Sequence, residues 1–166
     1  FRRVLFRSLP QSLCQCTQLE TLRIWSNQLQ SLHEDIGHLS CLKQLQVAYN
    51  QLTYLPQSLC QCKQVESLVI LHNQLQSLHQ DIGHLSCLER LDACHNQLTD
   101  LPQSLCQCKQ LESIEISHNQ LQSLPEDIGH LSCLKQLDVG FNQLTHLPQL
   151  LCKCKQLEKL NIWDNQ

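Results

Sequence analysis

The sequence predicts an α/β fold: a solenoid of short stacked coils, with a parallel β-sheet on one face and 3-10 or irregular turns on the opposite face. Three observations predict it. The dipeptide Asn-Gln occurs seven times from Asn27 to Asn165, always 23 residues after the previous copy. Apolar residues alternate before each asparagine, as in a short strand. More apolar residues follow it and return the chain to the same core. One such unit cannot bury its apolar residues alone, so the units are expected to stack.

The fifth unit, residues 111–133, shows how each element is predicted. It reads LESIEISHNQLQSLPEDIGHLSC. Alternation over its first six residues places Leu111, Ile114 and Ile116 on the core side of a short strand. Pro125 lacks an N–H and fixes its own φ, which suits a turn out of the sheet plane. The apolar residues of the predicted return path are Leu121, Leu124, Ile128 and Leu131.

The asparagine at the ninth position of each unit is expected to be structural. Its side-chain amide carries donors and an acceptor, which can satisfy the turn backbone of its own coil and of neighbouring coils. This predicts an asparagine ladder along the solenoid. Its members are Asn27, Asn50, Asn73, Asn96, Asn119, Asn142 and Asn165.

The pattern LxxLxIxxNQLxxLPxxLxxCxx resembles the leucine-rich repeat family, in the short 23-residue class with Leu-Pro at its fourteenth and fifteenth positions. The match covers Leu9 to Gln166. Extracellular receptor repeats usually run about a residue longer and plant receptor repeats carry a GxIP signature, and neither is seen. The resemblance implies a right-handed solenoid with the sheet on its concave face. Because the class includes Ras-pathway scaffolds, it also implies a cytoplasmic scaffold or adaptor that binds a small GTPase or another signalling protein.

A longer period of 46 residues is superimposed on the repeat. Units alternate between LPQSLCQCKQLE and LPEDIGHLSCLK, which indicates recent duplication. His33 and His79 stand where other units have proline. Without the fixed φ of proline, those two turns are expected to be slightly looser.

Composition argues against several classes of function. The chain has 12 basic and 15 acidic residues and a pI of about 6.3, so no nucleic-acid partner is expected. No apolar run approaches the ~20 residues that cross a bilayer, so no membrane partner is expected. The sequence has no P-loop and no HExxH motif, and only four glycines. We therefore expect no enzyme activity and no cofactor or metal.

The repeat sorts most of the twelve cysteines into classes. Cys16, Cys62, Cys108 and Cys154 occupy core positions that leucine fills in the alternate units. Cys14, Cys60, Cys106 and Cys152 lie two residues earlier and are expected on the convex surface. Equivalent Cys-x-Cys pairs are two coils apart, about 10 Å, which is too far for disulfides between equivalent cysteines. Zinc is disfavoured because the members of each pair point in different directions. Free thiols favour a reducing, cytoplasmic compartment.

Differences between the copies indicate where a partner binds. Substitutions concentrate at the second, third, fifth, seventh and eighth positions of each unit, which project from the concave face. Diversity on a fixed frame is typical of a binding scaffold, although drift at exposed positions is the alternative. Aromatic flanks and an acidic centre favour a basic or mixed-charge protein surface. The candidate residues are Arg23, Trp25, Tyr49, His72, Arg90, Asp92, His95, Glu115, His118, Phe141 and Trp163.

Three of these candidates, His72, His95 and His118, occupy the eighth position of successive units. Neighbours are expected one strand spacing apart. Such a row can titrate near pH 6.5 or bind a metal weakly. The alternative is three solvated side chains copied by duplication.

Two other functions stay open at this point. The array could target substrates for a larger enzyme, since families with such arrays include ubiquitin ligases, kinases, phosphatases and Roco-type GTPases. It could instead be an extracellular recognition module. The sequence of any flanking domain would test the first alternative. Whether the cysteines are free or paired in disulfides would test the second.

The first eight residues, FRRVLFRS, break the repeat, because Val4 stands where every other copy has asparagine. A nucleotide string that resembles the end of a common sequencing adapter translates to these eight residues, so residues 1–8 are interpreted as a non-native scar, with an atypical edge repeat as the alternative. Leaving out their three arginines lowers the net charge from −3 to −6. Residues 9–166 then form the repeat array: a partial first unit, six full units and a truncated seventh. No cap sequence is visible, so the chain is expected to be marginally soluble and to associate end to end.

Overall fold

Seven short parallel strands form one sheet in the computed structural model, which describes residues 5–166. Their order in the sheet is their order in the chain. Pairing joins equivalent positions of successive repeats, as where Leu45 lies opposite Leu68. This confirms the predicted α/β repeat solenoid. The strands are β1 (Thr21–Arg23), β2 (Gln44–Gln46), β3 (Ser67–Val69), β4 (Arg90–Asp92), β5 (Ser113–Glu115), β6 (Gln136–Asp138) and β7 (Lys159–Asn161).

Each repeat also contains a short 3-10 helix in the chain between successive strands. The residue before most of these helices is a proline in extended conformation, as at Pro56 with φ −61° and ψ 141°. The proline thereby sets the direction in which the chain leaves the sheet. The 3-10 helices are η1 (Gln11–Gln15), η2 (Glu34–His38), η3 (Gln57–Gln61), η4 (Ile82–His84), η5 (Gln103–Gln107), η6 (Glu126–His130) and η7 (Gln149–Lys153).

The two histidines that replace proline behave differently from one another. In both turns the ring accepts a backbone hydrogen bond two residues on: His33 Nδ1 from the N–H of Asp35, and His79 Nδ1 from that of Asp81, each at 3.1 Å. The turn at His33 keeps a five-residue helix, η2. At His79 the helix η4 has only three residues. In both turns the isoleucine N–H still donates to the histidine carbonyl at 3.0 Å, so the two turns differ in helix length and not in this first hydrogen bond.

One continuous apolar core runs between the sheet and the 3-10 helices. The middle residue of every strand from β1 to β6 is buried, and the residue after each of strands β2 to β6 is buried as well. The residues predicted for the fifth unit are all in this core. At the last described coil the pattern changes: among residues 5–166 no strand follows β7 in the sheet, and Leu160 is 39 % exposed.

The cysteines correct one prediction. Cys62, Cys108 and Cys154 are in the core as expected, whereas Cys16 is exposed because it lies in the first described coil. The prediction of convex-surface cysteines is wrong for three residues and holds only for the fourth: Cys14, Cys60 and Cys106 are buried and Cys152 is exposed. The flanking coils carry Gly37, Gly83 and Gly129 at the same position of the repeat. Cys60 and Cys106 each lie between two of these glycines, where the turns pack closely and cover the thiol.

These glycines also bring successive turns close together. A Cβ at Gly37 would lie 2.5 Å from the carbonyl oxygen of Ser58 in the next turn, and one at Gly83 would overlap that of Ser104. Glutamine side chains of the alternate turns, which lack this glycine, donate hydrogen bonds to aspartates of the turn that follows them. The bridges are Gln11 to Asp35 at 2.7 Å, Gln57 to Asp81 at 2.9 Å and Gln103 to Asp127 at 2.5 Å. The 46-residue period thus corresponds to two kinds of turn that pack alternately.

Half of the predicted scar, residues 1–4, lies outside the described residues, and with it Val4 at the asparagine position. The backbone of Phe6 continues the repeat: its N–H donates to Asn27 Oδ1 at 3.0 Å and its carbonyl accepts from the N–H of Gln28 at 2.9 Å. Its side chain is 59 % exposed. The backbone of Phe6 thus follows the repeat, whereas its ring does not fill the apolar position that leucine occupies in the other copies.

Candidate functional site on the sheet face

The strand register arranges the side chains of the sheet face in rows that run across the strands. Three rows matter, and each takes one residue from each successive coil. The carboxylate row lies on strands β4 to β6, and the small-residue row and the ring row lie two and three residues after it in each repeat. The carboxylate row consists of Asp92, Glu115 and Asp138. The small-residue row consists of Ala48, Leu71, Cys94, Ser117 and Gly140, and the ring row consists of Tyr49, His72, His95, His118 and Phe141.

The ring row is a continuous stack. From Tyr49 through the three histidines to Phe141, successive ring centroids are 4.4, 4.0, 4.1 and 4.0 Å apart. The planes of successive rings are inclined by no more than 18°. Trp163 closes the stack edge-on, with its centroid 4.5 Å from that of Phe141. The histidines are thus one strand spacing apart, and two further aromatic rings extend the row that they form.

The backbone of the coil imposes this stack. Every residue of the ring row has a positive φ, between 52° and 55°. That region is unusual for bulky side chains such as those of Tyr49 and Phe141. The parallel hydrogen-bond pattern nevertheless continues through it, for example from His72 N–H to the Cys94 carbonyl at 2.9 Å and from His95 N–H to that of Ser117 at 3.0 Å. Because all five residues share one conformation, their side chains leave the coils in parallel and meet face to face.

The central imidazole of the stack resists protonation. Burial lowers the pKa of His95 below its ordinary value, and the charges of His72 and His118 lower it further, while Asp92 acts in the opposite direction. The physical reason is that neighbouring imidazolium rings at this spacing repel each other. The row therefore favours neutral rings at its centre.

One arginine organises the carboxylate row. Arg90 Nη2 lies 3.0 Å from Glu115 Oε1 and 3.4 Å from Asp92 Oδ2. The side chain of Asp92 is only 8 % exposed and also accepts from the N–H of Cys94 at 3.4 Å. Asp138 accepts from the N–H of Gly140 at 3.1 Å. Glu115 and Asp138 are therefore more accessible to a partner than Asp92.

The predicted site residues do not all come together. Arg23 and Trp25 both belong to the coil of β1, at one end of the sheet. Trp25 precedes Ala48 by one repeat and so extends the small-residue row at that end. Arg23 Nη2 donates to Gln44 Oε1 at 3.2 Å. Tyr49 and Phe141, which were expected as separate aromatic flanks, are joined by the histidines. Sequence reasoning missed Asp138, although it follows Asp92 and Glu115 at the same 23-residue step.

The asparagine ladder fixes the coils beneath these rows. Asn96 is an example: its Oδ1 accepts from the N–H of Leu75 at 3.0 Å, in the previous coil. Its Nδ2 donates to the carbonyls of Ile70 and Ala93, each at 3.1 Å, and to that of Cys94 at 3.3 Å. One side chain thus satisfies backbone groups in two coils, which holds neighbouring rows in register.

The thiols do not form a metal centre. No group of three or more His, Cys, Asp or Glu side chains within residues 5–166 is arranged to hold a metal ion. All twelve cysteines lie in that range and are unpaired. Burial raises the pKa of Cys60, Cys62, Cys94 and Cys106 to about 11 and that of Cys108 to about 12, which makes these thiols poor nucleophiles. In the same part of the chain no helix has the length and apolar content to cross a bilayer.

Comparison with protein-family models gives a match to the leucine rich repeat over residues 17–75, 63–121, 86–144 and 110–166. The chain belongs to the leucine-rich repeat family. Among curated proteins, no sequence matches this leucine-rich repeat chain.

Solved structures show the same fold. A leucine-rich repeat protein of Leptospira interrogans is 26 % identical with a TM-score of 0.65, over 97 % of this chain and 53 % of that one. The ectodomain of the Arabidopsis thaliana receptor kinase GASSHO1/SCHENGEN3, in complex with CASPARIAN STRIP INTEGRITY FACTOR 2, is 29 % identical with a TM-score of 0.89, over 95 % and 20 %. An internalin of Listeria monocytogenes has a TM-score of 0.86 at 23 % identity, over 96 % and 45 %. This leucine-rich repeat chain therefore spans about half or less of the proteins that it resembles.

Proposed function

We propose that the chain is a protein-interaction module that binds a partner on its sheet face. The observation that carries this proposal is the contrast between the two kinds of position in the repeat. The core leucines and the asparagine ladder hardly change from copy to copy, whereas the changing positions lie on the sheet face and include the exposed Tyr49 and Trp163. Aromatic side chains of this kind are enriched at binding hot spots.

The finer proposal is an intracellular scaffold or adaptor of the short Leu-Pro class, similar to Ras-pathway scaffolds. The 23-residue step and the Leu-Pro dipeptides support the class, and a small GTPase or another signalling protein would then be the partner. The twelve unpaired cysteines support a cytoplasmic location, where thiols stay reduced. A basic or mixed-charge surface on the partner fits the carboxylate row best.

Photocrosslinking tests which face binds. A photoreactive amino acid at Ser117, in the small-residue row, is expected to crosslink to a protein in a cell extract. The same amino acid at Gln107, the exposed last residue of η5, is the matched control and is expected to give no crosslinked product. Equal crosslinking from both positions, or crosslinking from Gln107 alone, would contradict binding on the sheet face.

An extracellular recognition module is the second candidate, because one of the similar structures at 29 % identity is a receptor ectodomain bound to its ligand. The cysteines separate the two locations. Thiols are counted with a chromogenic reagent under native and denaturing conditions in protein recovered from cells. A full count of twelve after denaturation supports the cytoplasm. A count near zero would favour the extracellular candidate.

We also propose that the isolated chain associates end to end. The last strand, β7, is exposed along its whole length, and only its edge toward β6 is paired with another strand of the described residues. Its free backbone groups and the exposed Leu160 and Ile162 support this proposal.

A further inference from the structure

We propose that the ring row is a pH-gated docking surface for a cationic segment of the partner: it takes lysine or arginine side chains while its three imidazoles are neutral, and releases them when the imidazoles are protonated. This inference rests on the proposed function, because it names the chemistry of the partner that the sheet face binds. The proposal stands on the stacking geometry of the row and on the charges beside it.

Stacking determines which atoms the imidazoles present. Ring centroids 4.0 to 4.1 Å apart leave no room between the faces of His72, His95 and His118, so a partner meets only the ring edges. Both His95 and His118 are exposed. The edge of a neutral imidazole carries one nitrogen acceptor and one N–H donor, whereas a protonated ring carries two donors and no acceptor. A lysine or arginine side chain has only donors, so it can bond to the neutral edge and not to the protonated one.

The charges around the row favour a cation. Asp92 is on the same repeat as His95, and Glu115 and Asp138 follow on the next two strands. Arg90 is the cation that lies among them, bonded to Asp92 and Glu115. Cys94 adds no charge near neutral pH, because burial raises its pKa to about 11. With neutral rings the surface is therefore an acidic strip beside a row of hydrogen-bond acceptors, which complements a basic segment.

Protonation reverses this complementarity. Histidine changes its charge between about pH 5 and 8, whereas ordinary carboxylates stay ionised down to about pH 5. Acidification in that window adds positive charge to the row and leaves the carboxylates as they were. Each protonated ring loses its acceptor and repels an incoming cation. Because the pKa of His95 is lowered, the central ring takes up its proton only below its ordinary pH range.

Two labelled probe peptides, octaarginine and octaglutamate, test the proposal by fluorescence anisotropy. We expect octaarginine to bind at about pH 7.5 and at least tenfold more weakly at about pH 5.5, in buffers of equal ionic strength. Octaglutamate is expected not to bind at the higher pH. Equal affinity for octaarginine at the two pH values, or preference for octaglutamate at the higher one, would overturn the proposal.

Three variants identify the groups responsible. Replacing His72, His95 and His118 with phenylalanine keeps a ring at each position, which the backbone accepts at Phe141, and removes the titrating groups. In the same anisotropy measurement, the affinity of this variant for octaarginine is expected to differ by less than twofold between the two pH values. The double variant Glu115→Gln/Asp138→Asn is expected to bind octaarginine more weakly than the unmodified chain at both pH values. Its matched control, Glu34→Gln/Glu126→Gln, removes as many charges from the 3-10 helices and is expected to change little.

Failure of this inference can be told apart from failure of the proposed function. If octaarginine does not bind, or if the phenylalanine variant keeps the full pH dependence, the gate is overturned. Crosslinking from Ser117 to a protein partner would in that case still support binding on the sheet face. Circular dichroism on every variant at both pH values shows whether the fold is retained, and a variant that unfolds is replaced by the asparagine triple variant, because asparagine tolerates positive φ.

Discussion

At the scale of single residues, the ladder asparagine links each coil to the one before it. The side chains of Asn50, Asn73, Asn96, Asn119 and Asn142 are nearly buried, and each bonds to backbone groups of two coils. A buried carbonyl or N–H without a partner is costly. Any side chain that lacks either the donors or the acceptor therefore leaves backbone groups of two coils unsatisfied at once.

Asn96→Asp is predicted to lower the free energy of unfolding by about 2 to 4 kcal/mol. Aspartate keeps the acceptor for Leu75 but loses the Nδ2 donors and turns a carboxylate toward three carbonyl oxygens. Urea unfolding measures the change. Asn27→Asp is the control, since among residues 5–166 Asn27 donates only to the carbonyl of Trp25, in a less buried position. If Asn27→Asp lowered the free energy of unfolding as much as Asn96→Asp, the prediction would be contradicted.

The central histidine is predicted to make stability depend on pH. The pKa of His95 is lower in the folded chain than its ordinary value of 6.5, so the unfolded chain binds the proton more readily. The free energy of unfolding should therefore fall as the pH drops through 6.5 toward the folded-state pKa and level off below it. Thermal unfolding of His95→Asn over the same window should show a smaller slope. An unchanged slope would assign the pH dependence to other groups.

At the scale of elements, the 3-10 helices form an alternating stack in which two kinds of turn fit each other. The glycine of one turn lies against the backbone of the next, and a glutamine of that next turn bonds to an aspartate of the turn that follows it. Gly83 illustrates the constraint, since the nearest atom to a Cβ there would be the backbone oxygen of Ser104. Backbone cannot move aside as a flexible side chain can, so this close packing depends on glycine.

Gly83→Ala is predicted to lower the free energy of unfolding by about 1 to 3 kcal/mol through overpacking. Gly140→Ala is the matched control on the sheet face. There a Cβ would lie 3.2 Å from the side chain of Trp163 and 3.3 Å from its carbonyl oxygen, contacts that are tight but do not overlap, and Cys94 and Ser117 already carry a Cβ at the equivalent positions. We expect that control to change stability by less than about 0.5 kcal/mol in urea unfolding. The reverse ranking of the two variants would refute the packing argument.

At the scale of the whole molecule, stability is shared between neighbouring coils and is weakest where a coil has only one neighbour. The central strands are buried on the core side and paired on both edges. The residues of β7 are all exposed, and Trp163 is 59 % exposed beyond it. Solenoids usually cover such an end with a polar cap. In the proposed end-to-end association, this exposed surface at β7 contacts another copy of the chain.

Sedimentation velocity is predicted to show an average mass that rises with concentration for the 166-residue chain. The double variant Leu160→Lys/Ile162→Lys should shift it toward the monomer, because lysine on an edge strand opposes further pairing. Tyr54→Lys is the control, since Tyr54 is similarly exposed but lies away from β7. A clean monomer of the unmodified chain at high concentration would contradict end-to-end association.

Most of the fold could be predicted from the sequence because the information is repeated. A 23-residue period with apolar residues at constant positions gives the strands, their pairing and the core. The same periodicity predicts which candidate residues share a row, and it even contains Asp138, which was overlooked. Periodicity does not say how deeply a side chain is covered. That is why Cys14, Cys60 and Cys106 were assigned to the wrong surface.

The sequence by itself determined the repeat, the asparagine positions, the core and the set of residues that vary on the sheet face, because each follows from which positions recur. The tertiary structure decided that Asp92 is covered by Arg90 and that five rings from Tyr49 to Phe141 form one stack. The physical reason is the positive φ shared by every residue of the ring row. That conformation arises from hydrogen bonds between coils, so only the stacked molecule aims those side chains at one another.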